Sequence, residues 1–122
     1  MTQPALRTPA NFLPLSPQQF HILLSLAREH RHGYGVIQDV AARTGETMGT
    51  GTLYTAIARL ADLELIEETE EEGGRRRYYR LTRLGRAVLE AEAARLEALV
   101  RLARQEGILG RPVRPAPTRG RP

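Results

Sequence analysis

Apolar residues recur every three or four positions in four stretches of the chain, a spacing that predicts four amphipathic helices. The first helix begins at Ser16, which can cap it, with Pro17 at the first helical position and Gln19 where a capping box requires Glu or Gln. It is expected to end near His30. Its wide apolar surface predicts a central, well-buried helix, with one face formed by Phe20, Leu23, Leu24 and Ala27.

Two shorter helices are predicted next. One runs roughly from Tyr34 to Arg43 and closes at Thr44-Gly45, where glycine fits a left-handed C-terminal position. The other begins near Thr50 or Thr52, either of which can cap it. Its apolar residues turn inward, and small or polar residues lie on the opposite face. The inward set is Leu53, Ile57 and Leu60, and the outward set is Thr52, Thr55, Arg59 and Asp62.

The segment after the third helix has the pattern of a β-hairpin. The apolar pair Leu65-Ile66 runs into a charged stretch centred on Gly73-Gly74, which suits a two-residue turn. Pairing across that turn places Ile66 opposite Leu81. Opposite charges across the strands would then stabilise the hairpin, with Glu70, Glu71 and Glu72 facing Arg77, Arg76 and Arg75.

A long final helix is predicted from about Arg83 to Glu106, with Thr82 as its cap and Gly107 at its end. Its apolar surface is too wide for one surface helix and exceeds what so small a domain can cover. A second copy of the chain is the simplest partner for the remainder. The residues expected at that interface are Leu84, Val88, Leu89, Leu96, Leu99, Val100, Leu102 and Ala103.

The order helix, helix, helix, hairpin, helix is that of a winged helix-turn-helix, mainly α with a small β-hairpin, and it makes the chain a candidate DNA-binding protein. The predicted division has four parts. They are a flexible N-terminal arm at 1–15, the winged helix-turn-helix domain at 16–82, a C-terminal dimerisation helix at 83–107 and a disordered Arg- and Pro-rich tail at 108–122.

Composition narrows the classes of function. The 122 residues allow one modest domain, and the absence of cysteine excludes disulfides, thiolate metal sites and thiol redox chemistry. No apolar run approaches the length of a membrane span and no signal-peptide pattern is present, so a cytoplasmic protein without membrane partners is expected. No nucleophile stands beside a base and an orienting acid, and no glycine loop suits a phosphate, so an enzyme is not predicted.

The three histidines raise the question of a metal site. His30 and His32 lie two residues apart at a helix end, but carboxylates are few nearby, and His21 is separate from them. A solvated helix end is therefore favoured over a metal site. Neither a metal nor a cofactor is predicted.

The net charge of +4 comes from the C-terminal tail. Residues 1–63 carry five arginines against four acids, residues 64–106 carry nine against ten, and residues 107–122 carry four arginines and no acid. Any DNA affinity of the folded part must therefore come from local patches rather than bulk charge. The tail can follow phosphates nonspecifically or can only keep the chain soluble, and both interpretations stay open.

Several segments together carry a resemblance to a known family. They are His32-Gly33-Tyr34-Gly35, Gly51-Thr52-Leu53-Tyr54, Leu60 to Ile66, and Gly74-Arg75 through Tyr79-Arg80-Leu81-Thr82 with Gly85. In order they span roughly residues 15–90, and together they resemble the PadR family of bacterial transcription regulators. The resemblance implies a winged-helix dimer that represses a nearby gene and leaves its operator when an effector accumulates. The short final helix resembles the smaller branch of the family.

Two features depart from the family pattern. Glu64 stands where related sequences commonly have glycine before Leu-Ile, which leaves open a different turn after the third helix. The chain also has no tryptophan, the residue with which well-known multidrug-binding members hold flat ligands at the dimer interface. The resemblance therefore implies an effector site without naming its ligand.

The residues predicted to contact DNA lie at the start of the second helix and along the outward face of the third. That face would enter a major groove, with Arg59 as its one long donor to a guanine or a phosphate. An ordinary solvated face is the alternative. Tyr34 and Tyr54 can reach a phosphate beside helix N-terminal amides, or can be half-buried rings with wet hydroxyls. The predicted set outside the hairpin is Tyr34, Thr50, Gly51, Thr52, Tyr54, Thr55 and Arg59.

Arg75, Arg76 and Arg77 form the predicted hairpin tip. They can enter a minor groove, or they can be neutralised by the glutamates across the hairpin. Contact with DNA is favoured, for Arg75 and Arg76 more than for Arg77. Tyr79 is expected to pack in the core or at the base of the hairpin.

The resulting hypothesis is a homodimeric transcriptional repressor on a near-palindromic operator of double-stranded DNA, with half-site centres about 34 Å apart. A small apolar effector would bind between the final helix and the first helices and release the operator. The alternatives are a MarR-like regulator and a winged-helix protein-interaction module without sequence-specific DNA binding.

Overall fold

The computed structural model describes residues 8–69 and 77–110, and it confirms the predicted order of elements. A short 3-10 helix, Pro9–Phe12, comes first. The remaining elements are four α-helices and three strands: α1 (Pro17–Arg28), β1 (Arg31–His32), α2 (Gly33–Thr44), α3 (Thr50–Asp62), β2 (Ile66–Thr69), β3 (Tyr78–Leu81) and α4 (Arg83–Gln105).

The start of α1 is the predicted capping box. The Gln19 backbone N–H donates to the Ser16 hydroxyl at 3.1 Å, and the Ser16 N–H donates to the Gln19 side-chain oxygen at 3.0 Å. The helix is central to the core, because its side chains Ile22, Leu23 and Leu26 are buried. It ends at Arg28, earlier than the expected His30, because the chain becomes extended at Glu29 and enters β1.

The sheet has three strands, where the sequence predicts only the two of a hairpin. β1 pairs antiparallel with β3 and gives the order β1-β3-β2. A strand of two residues has no alternation to detect, so the hydrophobic pattern could not reveal it. β2 and β3 pair with Ile66 opposite Leu81, as predicted. The expected turn at Gly73-Gly74 and its flanking Glu–Arg pairs lie outside the described residues.

Glu64 adopts the left-handed backbone conformation, with φ of 64°. It ends α3 in a Schellman motif, in which the Leu65 N–H donates to the Leu60 carbonyl at 3.0 Å and the Glu64 N–H donates to the Ala61 carbonyl at 2.9 Å. Glycine occupies this conformation freely, whereas a residue with a Cβ pays a steric cost. The turn after α3 therefore has the backbone conformation that glycine favours, although Glu64 occupies that position.

The same turn holds the start of α4. The Thr82 hydroxyl donates to the Glu64 carbonyl at 2.7 Å and accepts from the Gly85 N–H at 2.9 Å, which makes Thr82 the predicted cap. A Cβ at Gly85 would overlap the Leu65 carbonyl oxygen. Only glycine therefore allows the first turn of α4 to approach the end of α3 so closely.

α4 has two halves that differ in burial. From Gly85 to Glu92 it packs on the core, and Val88 and Leu89, predicted at a dimer interface, are instead covered by the chain's own core. Leu84 packs partly against the same core. Further along the helix the apolar side chains turn to solvent. The exposed residues at and beyond that end are Leu99, Val100, Leu102, Ile108 and Leu109.

Residues 8–15 pack against α4, whereas the sequence predicts a flexible arm over 1–15. Leu15 is buried, and its N–H donates to the Glu92 carboxylate at 3.2 Å. Glu92 is only 2% exposed and also accepts two bonds from the Arg95 guanidinium, at 2.6 and 2.9 Å. The Arg95 bonds lower the pKa of Glu92 below 4.5 and, with the Leu15 bond, outweigh the effect of burial. The buried carboxylate thus holds the N-terminal segment in place.

Candidate nucleic-acid interface

The outward face of α3 presents every residue of that helix predicted to contact DNA. Leu53, Ile57 and Leu60 are buried in the core. The side chain of Arg59 forms no ion pair among the described residues, so its guanidinium is free to meet an acceptor on a partner. The exposed set is Thr50, Gly51, Thr52, Tyr54, Thr55 and Arg59.

The prediction that Thr50 or Thr52 caps α3 is wrong. Gly49 is the N-cap residue, Thr50 is already helical, and no side chain caps the helix. A Cβ at Gly49 or Gly51 would meet no atom within 4 Å, so the space in front of this helix end is open. The first-turn amides therefore remain accessible to an anion from outside the chain.

Tyr54 lies where α3 meets α2. A Cβ at Gly33 would overlap the Tyr54 hydroxyl, so the ring lies against the first turn of α2. Tyr54 is nevertheless 47% exposed, and Tyr34, in that same first turn, is 58% exposed. The two predicted phosphate-binding tyrosines are thus associated with one helix N-terminus, and both are accessible.

His32 is the N-cap of α2. Its Nδ1 accepts a hydrogen bond from the Gly35 N–H at 3.0 Å. The His32 ring packs edge-on against Tyr78, with 5.3 Å between the ring centroids. The sequence interpretation of a solvated helix end misses this role. Histidine is not among the preferred capping residues, so its residue type does not indicate a cap. The signal that the sequence does offer is the position of His32 directly before a helix start.

Arg31 connects α2 to α1. Its Nε donates to the Ser25 carbonyl at 3.0 Å, and its guanidinium lies 3.5 Å from the Asp39 carboxylate, which also pairs with Arg43 at 3.0 Å. Burial favours a raised pKa for Asp39. The nearby Ser25 hydroxyl and the guanidinium groups of Arg43 and Arg31 hold that pKa below 3.8. Asp39 is therefore ionised, and it keeps α2 seated beside α1.

The wing is the hairpin of β2 and β3, and the structure describes its base, residues 66–69 and 77–81. The Arg77 side chain is 74% exposed and lies 3.5 Å from the Glu68 carboxylate, while Arg80 pairs with Glu67 at 2.8 Å. Tyr79 is buried, as predicted, and burial together with the charge of Glu68 raises its pKa above 10. Arg75 and Arg76 lie outside the described residues. At its base, then, the wing is already internally neutralised.

Residues 8–69 and 77–110 also bear on other classes of site. In these ranges no group of three or more His, Asp or Glu side chains is arranged to hold a metal ion. In the same ranges no helix combines the length and apolar character needed to cross a membrane.

The sequence matches one family model, described as the transcriptional regulator PadR-like family, over residues 22–91. The chain belongs to the PadR-like family. Membership decides between the PadR-like and MarR-like hypotheses, and it identifies this PadR-like protein as a transcriptional regulator rather than an enzyme.

Similar proteins agree with this assignment. Transcriptional regulator Rv3488 of Mycobacterium tuberculosis is 40% identical over 85 residues, which cover 68% of this chain and 78% of that protein. A PadR family transcription regulator from Clostridium difficile R20291 has a crystal structure with a TM-score of 0.65 and 25% identity, covering 75% of this chain and 98% of that one. An uncharacterized 37.1 kDa protein in transposon TN4556 of Streptomyces fradiae is 40% identical over 75 residues, and this PadR-like chain spans only 21% of its length.

Proposed function

We propose that this PadR-like protein is a homodimeric repressor that binds a near-palindromic operator and is released by a small-molecule effector. The exposed face of α3 carries the DNA-binding part of the proposal. It combines small and polar side chains with one arginine, Arg59, that forms no ion pair within residues 8–69 and 77–110, and so it fits a major groove about 12 Å wide. Arg59 is long enough to bind a guanine edge or a phosphate.

Phosphate contacts beside that face would set the register on the duplex. Exposed donors lie near the reading face, the outward face of α3 that carries Arg59. They are the uncapped amides of α3 and the first turn of α2 with Tyr34. Such contacts position a protein without reading sequence. Specificity is therefore assigned to the α3 face, with Arg59 as its main determinant.

The exposed half of α4 supports the homodimer. Leu99, Val100 and Leu102 are each at least 41% exposed, an unfavourable arrangement for an isolated chain in water. Pairing this half with its copy would cover them. The two α3 helices would then contact half-sites about 34 Å apart on one side of the duplex.

The experiment is fluorescence anisotropy of labelled duplexes with the full chain at several salt concentrations. One duplex is the intergenic DNA upstream of the protein's own gene, and the other has random sequence. We expect much tighter binding to the upstream duplex, and we expect Arg59→Ala to weaken that binding about tenfold or more. Arg101→Ala is the matched control, since Arg101 is an exposed arginine on α4 that pairs with Glu97.

The pattern of loss identifies what Arg59 contacts. A loss confined to the upstream duplex indicates a guanine contact, while equal losses on both duplexes with a salt slope lower by about 1 indicate a phosphate contact. Weak and equal binding of both duplexes by the unmodified chain would contradict the proposal. In that case the protein-interaction module becomes the better hypothesis.

A reporter gene placed behind the upstream duplex tests the direction of regulation. Repression predicts that expression of the intact chain lowers the reporter signal, and that Arg59→Ala restores it. A reporter signal that rises with the intact chain would instead identify an activator.

A further inference from the structure

A cleft of about 570 Å³ lies between the end of α1, strand β3 and the first turn of α4. Its walls combine charged and apolar side chains. Arg28, Arg80 and Arg86 carry the positive charge, and Glu29 carries a negative charge. The apolar part of the wall consists of Leu26, Ala27 and Leu81, and the rings of His30 and Tyr78 complete the lining. The described lining includes no residue of α3, so the cleft is separate from the reading face.

Two of the arginines in the cleft have no carboxylate partner in the part of the chain that the structure describes. Arg80 is paired with Glu67, and Glu29 lies 3.4 Å from the Arg31 guanidinium. Neither Arg28 nor Arg86 forms an ion pair among the described residues. The cleft therefore contains two positive charges that nothing in the described chain compensates.

Arg86 is also held in position. Its Nη2 donates to the Ala27 carbonyl at 2.8 Å, at the C-terminal end of α1. A guanidinium has five N–H donors, and this bond uses one of them. The remaining donors can bind a carboxylate or phosphate, and bonds of this charge-assisted kind are the strong ones. Arg28, on the same rim, can approach the anion from the end of α1.

Tyr78 links the cleft to the DNA-binding half of the domain. The Tyr78 side chain forms part of the cleft wall, and its ring also packs edge-on against the His32 ring. His32 in turn caps the first turn of α2, which carries Tyr34. A ligand that displaces Tyr78 therefore acts on the cap of α2 through two direct contacts.

We propose that this cleft binds a small metabolite bearing a carboxylate or phosphate through Arg28 and Arg86, and that its occupancy changes operator affinity through Tyr78 and His32. The regulatory part rests on the proposed repressor function. The binding part does not depend on it. An anionic ligand at this polar cleft replaces the apolar effector that the sequence suggests.

The binding part is tested by titrating the full chain with inorganic phosphate and, separately, with succinate, at constant ionic strength. Two-dimensional NMR follows the backbone amides. We expect saturable shifts at Arg28, Tyr78 and Arg86 with at least one probe. Arg28→Ala should weaken that binding about tenfold, because it removes a charged hydrogen-bond partner, while Arg101→Ala should leave it unchanged.

Arg28→Ala is the informative variant, since Arg28 has no partner within the described chain whose loss would disturb the fold. Arg86→Ala should act in the same direction, and its spectrum shows directly whether the domain stays folded. Absence of saturable shifts with both probes would overturn the site. Equal affinities in the unmodified chain and Arg28→Ala would overturn it as well.

The regulatory part is tested by anisotropy with the upstream duplex, with and without a saturating concentration of the probe that binds. We expect the probe to weaken operator binding several-fold in the unmodified chain and to have no effect in Arg28→Ala. Without probe, Arg28→Ala should bind the operator as the unmodified chain does. A probe that binds but leaves operator affinity unchanged would refute the coupling.

A DNA phosphate is the competing source of the same oxyanion chemistry. If it occupies the cleft, Arg28→Ala weakens operator binding in probe-free buffer and lowers the salt slope by about 1. That result would overturn the small-anion site. Failure of the unmodified chain to bind any operator contradicts the repressor proposal alone, since the NMR titration needs no DNA.

Discussion

The two halves of α4 reverse the usual distribution of charged and apolar side chains. In the first half a carboxylate, Glu92, is 2% exposed inside the domain, whereas in the second half Leu99 and Leu102 are 48% and 55% exposed. Glu92 tolerates burial because Arg95 and the Leu15 N–H supply its hydrogen bonds. The leucines have no comparable cover from residues 8–69 and 77–110. Burial along one helix therefore follows what packs against each turn, not the polarity of the residue alone.

The difference also separates two kinds of stability. The first half belongs to the fold of a single chain, through Val88, Leu89 and the Glu92 bonds. The second half would contribute only when a second copy covers it. Substitutions in the first half should therefore change unfolding, and substitutions in the second should change association.

The largest effect is expected from a charge in the exposed half. Leu99→Glu would bury a carboxylate in the proposed dimer interface, and we expect it to raise the dimer dissociation constant about 100-fold or more. Sedimentation equilibrium over a concentration series measures this constant. Ala94→Glu is the matched control, because Ala94 lies on the opposite face of α4 and is exposed. Equal dissociation constants for the two variants would show that the exposed half of α4 does not form the dimer interface.

Removing the two methyl groups of one valine in each half compares the same chemical change in two settings. Val88 is fully buried, so Val88→Ala should reduce the free energy of unfolding by about 2 kcal/mol. Val100 is 41% exposed, so Val100→Ala should cost less than about 0.5 kcal/mol in the same monomer. Both are measured by urea unfolding in the Leu99→Glu background, where we expect the chain to be monomeric. Similar costs at both positions would mean that the two halves do not differ in burial.

The buried carboxylate predicts a dependence of stability on pH. Glu92→Gln keeps the shape but loses the charge, and we expect it to reduce the free energy of unfolding by about 1–2 kcal/mol at pH 7. Arg95 is partly exposed and regains water when the pair is lost, which limits this cost.

The lowered pKa of Glu92 determines the direction in which stability changes with pH. Its ionised form stabilises the fold above pH 4.5, and that contribution is lost as the pH falls below 4.5 through the folded-state pKa. The variant has no group that titrates at this position. The difference between the two proteins, measured by urea unfolding at pH 7 and pH 3, should therefore shrink on acidification. A difference that stays constant would show that the charge of Glu92 contributes nothing.

The smallest effect is expected at the turn that docks the first half of α4. Glu64→Gly should raise the free energy of unfolding by about 0.5–1 kcal/mol, because glycine removes the steric cost of the left-handed conformation. Glu64→Ala is the control, since it removes the side chain and keeps a Cβ. Thermal unfolding distinguishes them. If alanine stabilises as much as glycine, the gain comes from the carboxylate and not from the backbone.

Local chemistry accounts for the parts of the fold that the sequence predicts correctly. Ser16 and Thr82 lie within three residues of the groups that they cap, and the Ile66–Leu81 register follows from pairing two strands that are close in sequence. The choice of cap for α3 failed because Thr50 and Thr52 follow Gly49 within three residues, and propensity alone favours the threonines.

The features that the sequence does not predict depend on distant partners. Glu92 lies on the apolar stripe of α4, but its acceptor role depends on Leu15, 77 residues earlier. The cleft likewise depends on a bond between Arg86 and Ala27, 59 residues apart. The face of α3 could be predicted because a helical period suffices to identify it. The lack of an ion pair at Arg59 among the described residues could not be predicted, because that prediction requires the position of every neighbouring carboxylate.

The absence of a side chain at Gly33 has a mechanical consequence. Tyr54 lies across the first turn of α2, so a tilt of α2 is transmitted to the base of α3 through direct contact. α3 has 13 residues and is therefore about 20 Å long. Arg59 lies nine residues, or about 13 Å, along α3 from its first residue. A rotation of about 5° at the base of this rigid helix would therefore displace Arg59 by about 1 Å, enough to break a hydrogen bond. A movement too small to disturb the core would then suffice to take Arg59 out of register with a base pair.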